Sequence, residues 1–286
     1  SKNSSNSKLS EKQEVAFGRI YLEASKEKVL ENFESAEDLY KKALQIDPNS
    51  AAAHYDLGIV YSQLGKEEDA FNEFQKANQI DSDNYWYKLS YATLLESKGQ
   101  LEEAIVEFKE LTKLNPTQIE LKYELAKLLV TINKKSEGIQ YLNLIEEEIG
   151  INEEISFLKQ RIYLADNKLD SAIYEIEQLI EAYPSNLKYY SNLTDLYLSN
   201  GRNEEVLEVF ERMQAIDSTN YNVQFAMAEF YRSEPNEALY KKYIYKAFSN
   251  KEMGIDSKIK YLLSVYPPNS QNKELNEEAL KLSSIV

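Results

Sequence analysis

One spacing constrains this chain more than any other feature. Stepping by 34 residues from Phe17 lands on Ala51, Tyr85, Ile119, Glu153, Leu187, Tyr221 and Ile255, and the same side-chain classes recur at fixed offsets after each start, with no insertion before the seventh. A small residue stands at Ala36, Ala70, Ala104, Gly138, Ala172 and Val206, with Val206 the largest of the set. Four residues further on stands a large apolar one: Tyr40, Phe74, Phe108, Leu142, Ile176 and Phe210. Residues four apart share one face of a helix, so each pair offers a shallow pocket and the knob beside it. A period of this length means stacked supersecondary units, each too small to bury its own apolar face, with the core distributed along the stack.

The unit is clearest between Ala51 and Asn84. Leu57, Gly58 and Tyr61 lie on one helical face, and Ala70, Phe74 and Ala77 repeat the geometry beyond a turn at Gly65. Gly99, Gly201, Asn133 and Asn167 occupy the same turn position, and these residue types tolerate the left-handed backbone that ends a helix. Glu31 stands there in the first repeat, which fits less well. Pro48, Pro116 and Pro184 stop the second helices of alternate repeats. Acidic pairs such as Glu68 with Asp69, Glu102 with Glu103 and Glu204 with Glu205 open the second helices, where negative charge suits the helix N-terminus better than it suggests paired catalytic carboxylates. Asp47, Asp81 and Asp217, in the loops between repeats, are expected to cap the helices that follow.

Composition enters at three points. Only 8 Gly and 6 Pro among 286 residues leave little material for the hairpin turns of a β protein, so the expected fold is all-α. A formal charge of −15 without a clustered basic patch argues against nucleic acid as a partner. Cysteine is absent, which removes disulfides and thiolate metal sites and is compatible with oxidising or reducing compartments. No run of eighteen apolar residues occurs.

The ends depart from the pattern. The polar tract SKNSSNSKLS reads as a flexible tether over 1–12. A start at Ser fits either trimming or the segment that follows the lipidated cysteine of a bacterial lipoprotein. In the seventh repeat Ser233, Glu234 and Pro235 replace the glycine turn and Ala238 stands two residues early, so a shortened turn is expected. Beyond it, helices are expected from about Ser257 to Val265 and from about Lys273, separated by Pro267 and Pro268. Apolar Ile285 and Val286 suit an array that continues. The organisation is therefore a tether over 1–12, an array over 13–254 with repeats starting near 17, 51, 85, 119, 153, 187 and 221, and atypical helices over 255–286 that continue or cap it.

With these residues laid out, the chain resembles the tetratricopeptide repeat (TPR) family from end to end. More narrowly, YLEASKEKVLENFESAEDLYKKALQIDPNSAAAHYDLGIVY, EEEIGINEEISFLKQRIYLADNKLDSAI and KAFSNKEMGIDSKIKYLLSVY resemble TPR lipoproteins of Bacteroidota. The family resemblance implies a right-handed α-solenoid of antiparallel helix pairs, about seven repeats plus a partial eighth. The narrower one implies a periplasmic scaffold anchored to the outer membrane, a subunit of an assembly or secretion machine, with membrane contact only through an N-terminal lipid anchor. Two other roles stay open, a cytoplasmic adapter or co-chaperone and an accessory domain of a larger enzyme.

Chemistry has few places to stand. His54, the one histidine, takes a slot where the family often has Trp and reads as a core residue, since no second ligand lies at helical spacing. No Gly-rich phosphate loop or nucleophile triad is legible. Neither catalytic nor metal residues, cofactor nor small-molecule substrate are expected. Binding of one or more proteins, membrane-associated ones by the resemblance, is expected through a concave face built from the first helices. Its candidates are the ladder at the fifth repeat position, Tyr21, Tyr55, Leu89, Tyr123, Phe157 and Phe225, together with Trp86, Lys127 and Arg161. The same rings could instead pack between adjacent first helices. The carboxylate clamp of chaperone-binding TPR modules, a Lys at the fifth position and an Asn at the ninth, is absent: the ninth position holds Ser25, Ile59, Thr93, Lys127, Arg161, Asp195 and Glu229.

Overall fold

The computed structural model describes residues 9–234, 236–266 and 273–285. Among them every regular element is a helix, and there are 16. They form two compact units, residues 1–150 and 151–286. The first holds α1 (Glu11–Val29), α2 (Phe33–Ile46), α3 (Ala51–Gln63), α4 (Glu67–Ile80), α5 (Tyr85–Ser97), α6 (Leu101–Leu114), α7 (Ile119–Thr131) and α8 (Lys135–Ile149). The second holds α9 (Glu153–Ala165), α10 (Leu169–Ala182), α11 (Leu187–Ser199), α12 (Asn203–Ile216), α13 (Tyr221–Ser233), α14 (Glu237–Ser249), α15 (Ile255–Val265) and α16 (Lys273–Ser283). From α3 onward, each odd-numbered helix begins on a member of the 34-residue series.

Each unit is an α-solenoid in which a helix packs on its chain neighbours. The small positions are sealed: Ala36, Ala70, Ala104, Ala172 and Val206 have almost no exposed surface, and the large partners Tyr40, Phe108, Leu142, Ile176 and Phe210 are buried beside them. Gly58 shows how close the approach is. A Cβ built there would lie 2.8 Å from two ring carbons of Phe74. In Gly138 the missing side chain makes room for Val130, whose Cγ2 would meet an added Cβ at 2.8 Å.

Turns and caps follow from local chemistry. Gly65, Gly99 and Gly201 have φ of 71°, 73° and 69°, and Asn133, Asn167 and Glu31 adopt the same left-handed conformation at 63°, 55° and 60°. Glu31 therefore bears a conformation its side chain disfavours. The N-caps of α3, α5, α9, α11 and α13 are Ser50, Asn84, Asn152, Asn186 and Asn220, each accepting from a backbone N–H of the first turn. This corrects the expectation for the loop aspartates. Asp47 and Asp217 lie three residues too early to reach the first-turn amides and instead accept from Asn49 N and Thr219 N, shaping the loop.

The seventh repeat also differs from expectation. Its turn is not shortened. Asn236 caps α14 through Leu239 N, and α14 starts at Glu237, sixteen residues after Tyr221, as α4 starts sixteen after Ala51. Ala238 is exposed, while Tyr240 fills the small position and Ile244 the large one. Tyr fits there because its hydroxyl is shared with two buried hydroxyls, Tyr261 at 3.1 Å and Tyr266 at 2.7 Å. Burial pushes all three phenols well above their ordinary pKa. α15 starts at Ile255, two residues before expectation. At the other end, Ser10 and Gln13 form a capping box for α1, so the helix takes in Glu11 and Lys12 of the stretch read as tether. The tether's first eight residues, Pro235, Pro267, Pro268 and Val286 lie outside the described residues.

Candidate protein-binding face

Within each unit the first helices of consecutive hairpins form one row and the second helices another. Within the first unit, Tyr21 Oη donates to Asp56 Oδ2 at 2.5 Å and Lys28 Nζ to Asp56 Oδ1 at 2.5 Å, tying α1 to α3. The rings of Tyr55 and Tyr87 meet at 4.9 Å between α3 and α5. Asn78 donates to Glu107 and Lys109 to Glu137 along the row of second helices. In the second unit, Gln160 donates to Asn192 between α9 and α11, and Arg212 grips Glu177 with two 2.8 Å hydrogen bonds between α10 and α12.

The aromatic ladder sits partly inside the row of first helices. Tyr21 is half-buried, stacked on Phe17 at 5.7 Å and edge-on to Tyr40, and burial together with its bond to Asp56 raises the phenol pKa. Tyr55 lies between Phe74 and Tyr87. Leu89 and Tyr123 are half-buried. Phe157 meets Tyr189 edge-on at 6.2 Å and lies under Lys188, and Phe225 meets Tyr261 at 5.0 Å. These rings thus share their surface between inter-helix packing and solvent. Trp86 is different: it is 62% exposed, with the Tyr85 ring edge-on at 5.0 Å. Lys127 donates to Glu124 at 2.8 Å and stands 5.7 Å from the Tyr123 ring centre, in the first unit, whereas Arg161 is exposed on α9 of the second.

Beneath this face runs a feature the sequence reading missed, a row of buried polar side chains at the fourth repeat position. His54 presents Nδ1 to Glu73 at 2.5 Å and Nε2 to the Pro48 carbonyl at 3.0 Å. Lys88, almost fully buried, donates to Glu107 at 3.1 Å and Glu110 at 2.6 Å, and Lys122 donates to Glu148. Tyr190 and Gln224 reach the carbonyls of Pro184 and Ser218. The signal was available, because 54, 88 and 122 are one period apart. Burial alone would raise the Glu73 pKa, but the hydrogen bonds from His54 and Lys76 hold it below the usual carboxylate range. Among the described residues no three His, Asp or Glu side chains gather as a metal site, and no helix is long and apolar enough to cross a membrane.

Rows of hairpins whose polar interior is spent on tying helices together, with rings and a Trp at the surface, define a repeat scaffold. Family models of the tetratricopeptide repeat match residues 30–65, 51–84 and 85–118. The fold is shared with the C-terminal part of a TPR repeat-containing protein from Cytophaga hutchinsonii, with a TM-score of 0.53, 12% identity, and coverage of 83% of this chain and 97% of that one. It is also shared with a structure of Naa15/Naa10 bound to HypK-THB, with a TM-score of 0.60 and 15% identity; 93% of this chain is covered, but only 42% of that one. A tetratricopeptide repeat protein from Parabacteroides merdae aligns at 19% identity over 94% of this chain and 98% of that one, with a TM-score of 0.49. No curated protein matches the chain. Residues 30–118 match the tetratricopeptide repeat in sequence, and the chain shares its fold with tetratricopeptide-repeat proteins.

Proposed function

We propose that the chain is a non-enzymatic scaffold that holds a protein partner on the face of its first helices, and that it serves as a lipoprotein subunit of a bacterial outer-membrane or periplasmic complex. The observation that carries the binding face is Trp86. A large, rigid, amphipathic side chain left 62% exposed on a first helix is the type of residue that anchors protein interfaces. On the first helices α3, α5 and α7, Tyr55, Leu89 and Tyr123 add half-buried apolar surface, and Lys127 on α7 adds charge. A stable partner would bury roughly 1,200–2,000 Å² in total.

The cellular setting rests on the three segments that resemble Bacteroidota lipoproteins. A cytoplasmic adapter or co-chaperone and an accessory domain of a larger enzyme are the competing readings. Labelling of the native protein with a radioactive fatty acid separates them: incorporation supports the lipoprotein, and a native protein without label overturns it. For the face, Trp86→Ala is expected to weaken capture of the native partner about tenfold or more at unchanged helicity, as loss of an interface anchor does. Full retention of the partner would overturn the assignment of that face.

A further inference from the structure

The outer side of α1 carries a seam that is unpartnered among the described residues and distinct from the face just described. Val15, Leu22 and Val29 are 69%, 69% and 77% exposed. They are seven residues apart, so they fall within about 20° of one line along the helix, over roughly 21 Å. Lys12, Arg19 and Lys26 keep the same seven-residue step and are exposed, lying roughly 40–80° round on one flank.

The equivalent surface of later first helices receives the preceding hairpin. In α3 it holds Ala53 and Val60, both without exposed surface, with Asp56 between them accepting from Tyr21 and Lys28. In α7 it holds Leu121 and Leu128, both 3% exposed. α1 places Arg19 and Lys26 at these two stacking positions while keeping Leu22 and Val29 beside them. Two cations buried under an apolar hairpin would be costly, so this surface is not built to take another repeat of the same kind.

We infer that the α1 seam docks an acidic amphipathic helix of a partner protein. Aliphatic side chains at heptad spacing are one half of a helix–helix seam. A file of three cations along it, of which Lys26 also pairs with Glu23 at 3.1 Å and Glu27 at 4.0 Å, selects a partner with carboxylates on the matching flank, in a chain of net charge −15. A second copy fits poorly, because antiparallel pairing about Leu22 sets Arg19 opposite Lys26 of the other copy. An anionic membrane fits poorly as well, since one aliphatic side chain every two turns is a narrower apolar face than a helix lying in a membrane interface buries.

The test uses the whole chain and two labelled synthetic helices with the same Leu seam, one flanked by Glu and one by Lys, with binding read by fluorescence anisotropy. The Glu helix is expected to bind at least about tenfold tighter than the Lys helix and to weaken as salt rises. The paired substitution Arg19→Glu with Lys26→Glu reverses the preference, and Leu22→Asp abolishes binding. All these positions are exposed, and circular dichroism checks that the fold is kept. Equal binding of the two helices, no binding, or binding indifferent to Leu22→Asp overturns the inference. Sedimentation with phosphatidylserine vesicles that Leu22→Asp removes overturns it in favour of a membrane, and a dimer that Leu22→Asp dissociates overturns it in favour of a second copy.

Discussion

Gly58→Ala sets two effects of known size against each other. In an isolated helix the change stabilises by about 1 kcal/mol, because Gly is the costlier residue in a helix interior. Here the added methyl would sit 2.8 Å from Cδ1 and Cε1 of Phe74 and 3.2 Å from Cγ. The ring cannot easily retreat, since it is 6% exposed and packed against Tyr55 at 5.6 Å. Forcing a methyl into such a site costs about 1–3 kcal/mol, which offsets the helix gain and leaves a net loss of about 0–2 kcal/mol. For a unit of about 150 residues the upper end of that range lowers the melting temperature by roughly 4–8 °C. The assay is thermal unfolding by circular dichroism, with amide exchange in α3 and α4 to locate the loss in one hairpin. Phe74→Leu should cost less in the Gly58→Ala background than in the native one, because the smaller side chain admits the methyl. A Gly58→Ala protein stabilised by about 1 kcal/mol would refute the close approach of the two helices.

Other outcomes follow from single sites. Glu31→Gly should raise stability by about 0.5–1 kcal/mol in chemical denaturation, relief of the left-handed strain outweighing the entropy glycine adds to the unfolded chain. Lys88→Ala should destabilise by about 1–3 kcal/mol by leaving the partly buried Glu107 without its cation, whereas Lys88→Met, which keeps the packed stem, should cost less; equal losses would mean that the lost charge alone matters and the packed stem contributes nothing. The Glu73 carboxyl is lowered in the folded state relative to an ordinary value of 4.5, so its contribution is present above pH 4.5 and lost as pH falls through the lower folded value; Glu73→Gln should flatten the acid limb of a stability profile measured below pH 5.

What the sequence could show was governed by periodicity. The all-α repeat fold was legible because its packing residues, Ala70 with Phe74 and their counterparts, recur at fixed offsets and each can be read locally. The seventh repeat was misread for the same reason. Ala238 looked like the small residue displaced, whereas Tyr240 holds the site by sharing its hydroxyl with Tyr261 and Tyr266, partners more than twenty residues away. The loop aspartates were misplaced by three residues because Asp and Asn are both good caps, and only the helix start decides between Asp217 and Asn220. The candidate face was less legible still. Spacing puts Tyr55 and Trp86 on first helices, but how much ring each shows to solvent depends on the neighbouring helix. Tyr87 covers Tyr55, while Trp86 projects beyond its neighbours.

Site-specific photocrosslinking tests the central claim most directly. A photoreactive phenylalanine replaces Trp86 on a first helix and, separately, Val106, which is 57% exposed on the second helix α6. In cells expressing the native partner, irradiation is expected to yield a single dominant protein adduct from position 86 and none from position 106. An adduct from position 106 with none from position 86 would contradict binding through the first-helix face.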